Sequence, residues 1–140
     1  MLGNFTYHNP TKLIFGKDAL ASLAAELTPY NTIQLVYGSG SIRRFGIYNQ
    51  VVETLRAAGK TIVEDSGVMP NPTIEKLREG AQIARDNDVD FILAVGGGSC
   101  VDYAKAVAVS KDLPAGEDPW DVYFDRFEEP AADREVVPVG

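Results

Sequence analysis

The feature that most limits what this chain can become is a regular alternation of short apolar runs and amphipathic stretches, joined at two places by clusters of glycine. Ile33-Gln34-Leu35-Val36-Tyr37 reads as a strand and Gly38-Ser39-Gly40-Ser41 as a turn, after which Ile47, Val51 and Leu55 mark one face of a helix that Gly59 ends. Thr61-Ile62-Val63-Glu64 is the next strand, and after the loop at 67–72 a second helix carries Ile74, Leu77, Ala81 and Ala84 on one face. Residues 90–95 form a third strand, Gly96-Gly97-Gly98-Ser99 a second glycine turn, and residues 101–110 a third helix. Parallel strands need a crossover of a dozen or more residues, and these helices supply it. The pattern therefore predicts an α/β fold, Rossmann-like, with a mainly parallel sheet wound on both faces. Phe91-Ile92-Leu93-Ala94-Val95 is apolar throughout rather than alternating, as suits a strand covered on both sides.

The flanks are less regular. Phe5-Thr6-Tyr7-His8 and Lys12-Leu13-Ile14-Phe15, separated by Asn9-Pro10, predict a small hairpin at the edge of the sheet. From Asp18 the spacing of Leu20, Leu23, Ala24 and Leu27 predicts a helix that stops near Pro29. An acidic stretch at 115–133, with Trp120, Tyr123, Phe124 and Phe127, reads as a helical or irregular excursion whose aromatics belong to a core or an interface. Glu135-Val136-Val137-Pro138-Val139 starts another strand, so the chain is expected to be a truncated piece of a longer one.

Composition removes several classes of function. An apolar share of 45% and a charged share of 24% are those of an ordinary folded domain. A chain of this length buries roughly 68–70% of its unfolded surface, so a core can form without staples. The net charge of −7, and the lack of any basic cluster larger than Arg43-Arg44, argue against nucleic acid as a partner. No stretch is long and apolar enough to span a membrane. Cys100 is the sole cysteine, which suits a reducing compartment and predicts a cytoplasmic protein. His8 is the sole histidine, and transition-metal sites usually want several His or Cys ligands, so no metal site is expected within these residues.

In open α/β sheets ligands bind beyond the carboxyl ends of the strands, where both glycine clusters lie. Gly96-Gly97-Gly98-Ser99 follows a strand and opens a helix, so bare backbone amides and the helix dipole favour a phosphate there. The competing reading is a tight turn with no ligand; the strand-turn-helix context favours the pyrophosphate of a dinucleotide. Two readings stand for Asp102: a capping box closed by Ser99, or a carboxylate beside the ligand. Lys105 is expected to pair with Asp102 across one turn. In the first turn Gly38, Ser39 and Ser41 bring hydroxyls but no carboxylate, and Arg43-Arg44 follow. An acidic residue that binds a ribose 2′-hydroxyl would repel a 2′-phosphate, so this turn points to NADP in preference to NAD, with NAD possible. His8 and Cys100 are assigned no chemistry.

These residues resemble the iron-containing (group III) alcohol dehydrogenases, and more closely their NADPH-dependent butanol dehydrogenase branch. The likeness rests on Asn4-Phe5, on residues 10–17, on Tyr37-Gly38-Ser39-Gly40-Ser41, on Pro70-Asn71-Pro72, on Gly96-Gly97-Gly98-Ser99 with Asp102 and Lys105, and on Asp118-Pro119-Trp120. It implies a dehydroquinate synthase-like N-terminal domain over 1–140, lacking the following helical domain that carries the metal ligands, one Asp and three His. It further implies hydride transfer between NADP(H) and a primary alcohol or aldehyde in a homo-oligomeric full-length enzyme, with Fe2+ or Zn2+ polarising the substrate oxygen. Carried over by motif, Gly96, Gly97, Gly98 and Ser99 hold the pyrophosphate, Gly38, Ser39 and Ser41 the adenosine ribose, and Asn71 stands beside the adenosine half. Asp102 faces the nicotinamide and substrate and is the one catalytic candidate; no other catalytic residue and no metal ligand lie in this fragment, which is expected to be inactive alone. The alternatives are a non-catalytic nucleotide-binding module and a glycerol or sugar-phosphate dehydrogenase of the same architecture.

Overall fold

The computed structural model describes residues 3–114, 116–128 and 135–140, the side chains of Ser41 and Arg44 excepted. A 3-10 turn at Ala19–Ser22 runs into α1 (Leu23–Glu26), followed by β1 (Thr32–Tyr37), α2 (Ser41–Arg44), α3 (Ile47–Ala57) and β2 (Thr61–Asp65). Then come α4 (Ile74–Asp86), β3 (Phe91–Val95), α5 (Gly98–Lys111) and a π-helical turn at Asp121–Asp125. The sheet is parallel with β1 in the middle, in the order β2-β1-β3. Gln34 on β1 stands beside Val63 on one side and Ile92 on the other.

Two crossovers set that order. The connection through α3 carries the chain from β1 to one neighbour, and the connection through α4 returns it across β1 to the other side. The hydrophobic pattern assigns the layers: Leu27, Val51, Val52 and Leu55 pack with Ile33, Leu35 and Leu93 on one face. On the opposite face Leu77, Ala84, Tyr103, Ala104 and Val107 pack with Val36 and Ile92. α5 buries residues around most of its girth, from Cys100 to Ser110, because α4 covers one side of it and the sheet another. The expected last strand is present as a single parallel bridge, Ile92 to Val139, with Ile92 donating to Pro138 and Ala94 to Gly140 along the free edge of β3.

The N-terminal hairpin does not form. Residues 3–15 carry neither helix nor strand, and Phe5, Tyr7, Leu13 and Phe15 are 76–94% exposed. Two strands alone are marginal in water without a sheet or helix to cover them, and the outer edge of β3 is already taken by Pro138–Gly140. Asn9 instead accepts from the Thr11 amide at 2.9 Å, a local turn that competes with a ladder. The helix expected from Asp18 is also shorter than its spacing suggests, since Asp18 makes no side-chain cap and the first turn stays 3-10.

A buried polar network ties β1, β2, α4 and α5 together. Asp65 at the end of β2 is 1% exposed and pairs with Lys76 Nζ at 2.8 Å. Its second oxygen accepts from Gln34 Nε2 at 2.8 Å and from the Tyr103 hydroxyl at 2.7 Å. Gln34 Nε2 also reaches the Gly80 carbonyl at 3.1 Å, while Gln34 Oε1 has no partner. Burial works against a charged Lys76, but the Asp65 carboxylate outweighs it and raises the ammonium pKa. Burial, reinforced by Asp65, pushes the Tyr103 hydroxyl far up. Gly80 is what lets Tyr103 approach, since a Cβ there would stand 2.0 Å from the hydroxyl.

Removing Asp65 strands a buried ammonium. Asp65→Ala is expected to cost about 3–5 kcal/mol in urea denaturation, and the added loss from Lys76→Met in that background should be small. Both raised pKa values act in one direction: the folded state holds protons that the unfolded chain releases first, so stability is full below the ordinary Tyr and Lys values. It should therefore fall as pH rises above about 10, measured by the urea midpoint.

Candidate functional site

Because all three strands are parallel, their carboxyl ends meet at one edge, and the chain reverses its winding direction between β1 and β3. The Gly38-Ser39-Gly40 turn leaves β1, the segment holding Asn71 leaves β2, and Gly96-Gly97 leaves β3. The three are drawn close by backbone contacts. The Val68 amide donates to the Tyr37 carbonyl at 3.2 Å, and a Cβ on Gly38 would lie only 3.2 Å from the Val68 carbonyl. Asn71 holds a left-handed φ of 52°, which its short polar side chain tolerates between Pro70 and Pro72.

Cys100 joins the two glycine turns. It is buried, the backbone of Gly38 and of Gly97 faces its sulfur, and a Cβ on Gly96 would meet that sulfur at 2.7 Å. Burial pushes the thiol pKa up, and these backbone contacts oppose it only in part. The first glycine of the turn is thus needed for packing. Gly97 and Gly98 differ: both are exposed, and a Cβ on either would find nothing within 4 Å.

α5 starts at Gly98, three residues ahead of its first apolar position, because glycines that read as a turn supply its first residue. Its N-cap is Gly97, which has no side chain to cap with, so the capping box between Ser99 and Asp102 is not formed. The amides of Cys100 and Val101 both turn back to the Gly97 carbonyl, at 3.1 and 3.3 Å. Those of Gly98 and Ser99 have no acceptor among the described residues. Two adjacent amides without an internal acceptor, on the positive end of a four-turn helix, are an arrangement able to receive an anion.

Asp102 is exposed and lines a groove of about 390 Å³ between the starts of α4 and α5, walled by Pro72, Leu77, Tyr103, Trp120 and Phe124. Lys105 does not pair with it: no ion pair among the described residues joins the two, and Lys105 lines a different groove with Pro10 and Val139. Trp120 and Phe124 stack at 4.8 Å but are 44% and 54% exposed, so of the two places expected for them, core or interface, they do not occupy the core. The stretch is anchored instead by buried Val122, by the Tyr123 hydroxyl on the Val109 carbonyl, and by Asp118, whose carboxyl pKa the Arg78 guanidinium lowers. The acidic residues at 129–134 lie outside the described residues.

Beside the first turn stands a cluster in which the sequence reading connected only Arg43 with a ligand. The hydroxyls of Tyr37 and Tyr48 donate to the two oxygens of Glu64, one to each. The Arg43 guanidinium donates to the Tyr37 hydroxyl at 3.2 Å, with its carbon 5.9 Å from the Tyr37 ring centroid and 5.0 Å from that of Tyr48. The Glu64 carboxylate pushes the Tyr48 pKa up to about 12.

Comparison with known proteins then bears on the geometry. Residues 10–139 match the family described as "Iron-containing alcohol dehydrogenase". The chain belongs to the iron-containing alcohol dehydrogenase family. It is 48% identical over 120 residues to the "Probable NADH-dependent butanol dehydrogenase 1" of Bacillus subtilis, covering 85% of this chain and 30% of that protein. It is 36% identical over 121 residues to the "NADPH-dependent aldehyde reductase YqhD" of Escherichia coli, covering 86% of this chain and 31% of that protein. Among solved structures, NADH-dependent butanol dehydrogenase A of Thermotoga maritima superposes with a TM-score of 0.87 at 37% identity, covering 97% of this chain and 33% of that one. The chain thus spans about a third of the length of these members of the iron-containing alcohol dehydrogenase family. The family's description names iron, and among the described residues no group of three or more His, Cys, Asp or Glu side chains is placed to hold a metal. The donors among the described residues do not fit the ion. Among the described residues no helix is long and apolar enough to cross a membrane.

The raised thiol pKa and the burial of Cys100 together predict a sluggish thiol. Labelling of the native chain by a thiol-specific alkylating reagent at pH 7.5 should run at least tenfold slower than in 8 M urea; equal rates would contradict the packing described.

Proposed function

We propose that residues 1–140 form the dinucleotide-binding domain of a cytoplasmic, homo-oligomeric oxidoreductase that moves hydride between NADP(H) and a primary alcohol or aldehyde. The observation that carries the reading is the pair of amides at Gly98 and Ser99 that have no acceptor among the described residues, next to Gly97 and Gly98, where a Cβ would meet nothing within 4 Å. A pyrophosphate laid against them gains two charge-assisted hydrogen bonds and the field of α5, which outweighs the net charge of −7 at that spot.

When bound, a nicotinamide coenzyme supplies the hydride acceptor or donor, and everything else asked of this chain is placement. Gly96 sets the turn through its fit to Cys100, and Gly97, Gly98 and Ser99 hold the pyrophosphate. Gly38, Ser39 and Ser41 receive the adenosine ribose, with Asn71 beside the adenosine half. Asp102, at the mouth of the groove lined by Trp120, faces the nicotinamide and substrate. The absence of a carboxylate from the first turn supports NADP(H) over NAD(H), since an acid there would repel a 2′-phosphate. A metal that polarises the substrate oxygen, Fe2+ or Zn2+, belongs to the part of the enzyme beyond residues 1–140, and the chain alone should show little or no turnover.

The test is a titration that follows reduced-nicotinamide fluorescence with NADPH and NADH. The wild-type chain should bind NADPH more tightly, and Gly98→Val should weaken both nucleotides by at least roughly 100-fold, with urea stability changed by less than about 1 kcal/mol. Binding that survives the valine, or that the wild type never shows, would remove the assignment of this turn.

A further inference from the structure

Arg43 has an unusual setting for an exposed arginine close to a carboxylate. Glu64 is near enough to act on it electrostatically, yet no ion pair among the described residues includes Arg43. Each oxygen of Glu64 is instead held by a tyrosine hydroxyl, one by Tyr37 and the other by Tyr48, which together fix the direction in which the carboxylate points. Those same two rings, set edge-on with centroids 5.4 Å apart, hold the guanidinium by cation–π contact. Among the described residues only one of its nitrogens, Nη2, has a partner, the Tyr37 hydroxyl. The planar fork is therefore held in one place, at the surface, two residues after Ser41, with donors left over.

Resting on the dinucleotide reading above, we infer that Arg43 is the group that recognises the 2′-phosphate of NADP(H), and that Tyr48 is a positioning residue that keeps Glu64 from neutralising it. An arginine pinned on aromatic faces loses little rotamer freedom when it meets a phosphate, and its fork matches two phosphate oxygens. An unmodified ribose offers it no anion, so its contribution falls on one coenzyme alone. If Tyr48 loses its hydroxyl, one oxygen of Glu64 is released, and the carboxylate is free to turn to Arg43, on which it already acts electrostatically. The clamp is thus a device for keeping two opposite charges close and unpaired.

The experiment compares Kd values for NADPH and NADH, by nicotinamide fluorescence, across variants of the whole chain whose circular dichroism matches wild type. Arg43→Gln should weaken NADPH roughly tenfold or more and leave NADH within about twofold. Arg43→Lys, which keeps the charge without the fork, should fall between. Tyr48→Phe should weaken NADPH several-fold, and adding Glu64→Gln in that background should restore it, a rescue that simple loss of packing would not give. Equal losses for both nucleotides in Arg43→Gln and Arg43→Lys, or no loss in either, would overturn the role of Arg43; failure of the rescue would overturn that of Tyr48. A wild-type chain that binds neither nucleotide would overturn the dinucleotide reading beneath as well, whereas one that binds both equally would leave the pyrophosphate assignment standing and overturn this inference together with the preference for NADP(H).

Discussion

Parallel pairing of β1 with a neighbour on each side is the constraint from which the remaining geometry follows. A middle strand reached by crossovers of opposite direction cannot keep its neighbours' loops together at the carboxyl end: the connection after β1 leaves one way and the connection after β3 the other. The gap between them is lined by whatever ends the strands. Here that is glycine backbone, and Cys100 fills the space beneath so that the two turns sit on one support. The site is a property of sheet order first and of side chains second.

The division of labour among the glycines follows the same logic. A Cβ on Gly96 would run into the Cys100 sulfur at 2.7 Å and one on Gly38 would crowd the Val68 carbonyl at 3.2 Å, whereas on Gly97 and Gly98 it would meet nothing within 4 Å. Sequence inspection treats these positions alike. Only the three-dimensional surroundings separate glycines needed for packing from those whose bareness serves an incoming ligand.

The sheet strands and the α3 and α4 faces were legible because burial imposes a period that a one-dimensional reading can count, as with Ile47, Val51 and Leu55. What periodicity cannot count stayed hidden. Lys76 lies between the apolar positions Ile74 and Leu77, and its burial depends on Asp65, a partner from another element. The N-terminal apolar runs have strand composition, yet composition does not say whether an edge is available, and Asn9 closes a local turn instead. The start of α5 was misjudged because glycine is a poor helix former everywhere except at an end, where tertiary packing on the sheet overrides propensity. Of the cluster by the first turn, Arg43 could be noticed, but Tyr48 and Glu64 join it only after α3 folds back on β2.

The fit of Tyr103 against Gly80 has a reach beyond the two residues concerned. Tyr103 follows Asp102 directly on α5, and its hydroxyl is fixed on Asp65 through the space that a missing side chain on α4 leaves open. Drift at any of these positions during evolution would tilt the opening turn of α5 and, with it, the amides at its tip. Positions 65, 80 and 103 should accordingly be inherited as a set, so that a larger residue on α4 is accompanied by a smaller or apolar one facing it.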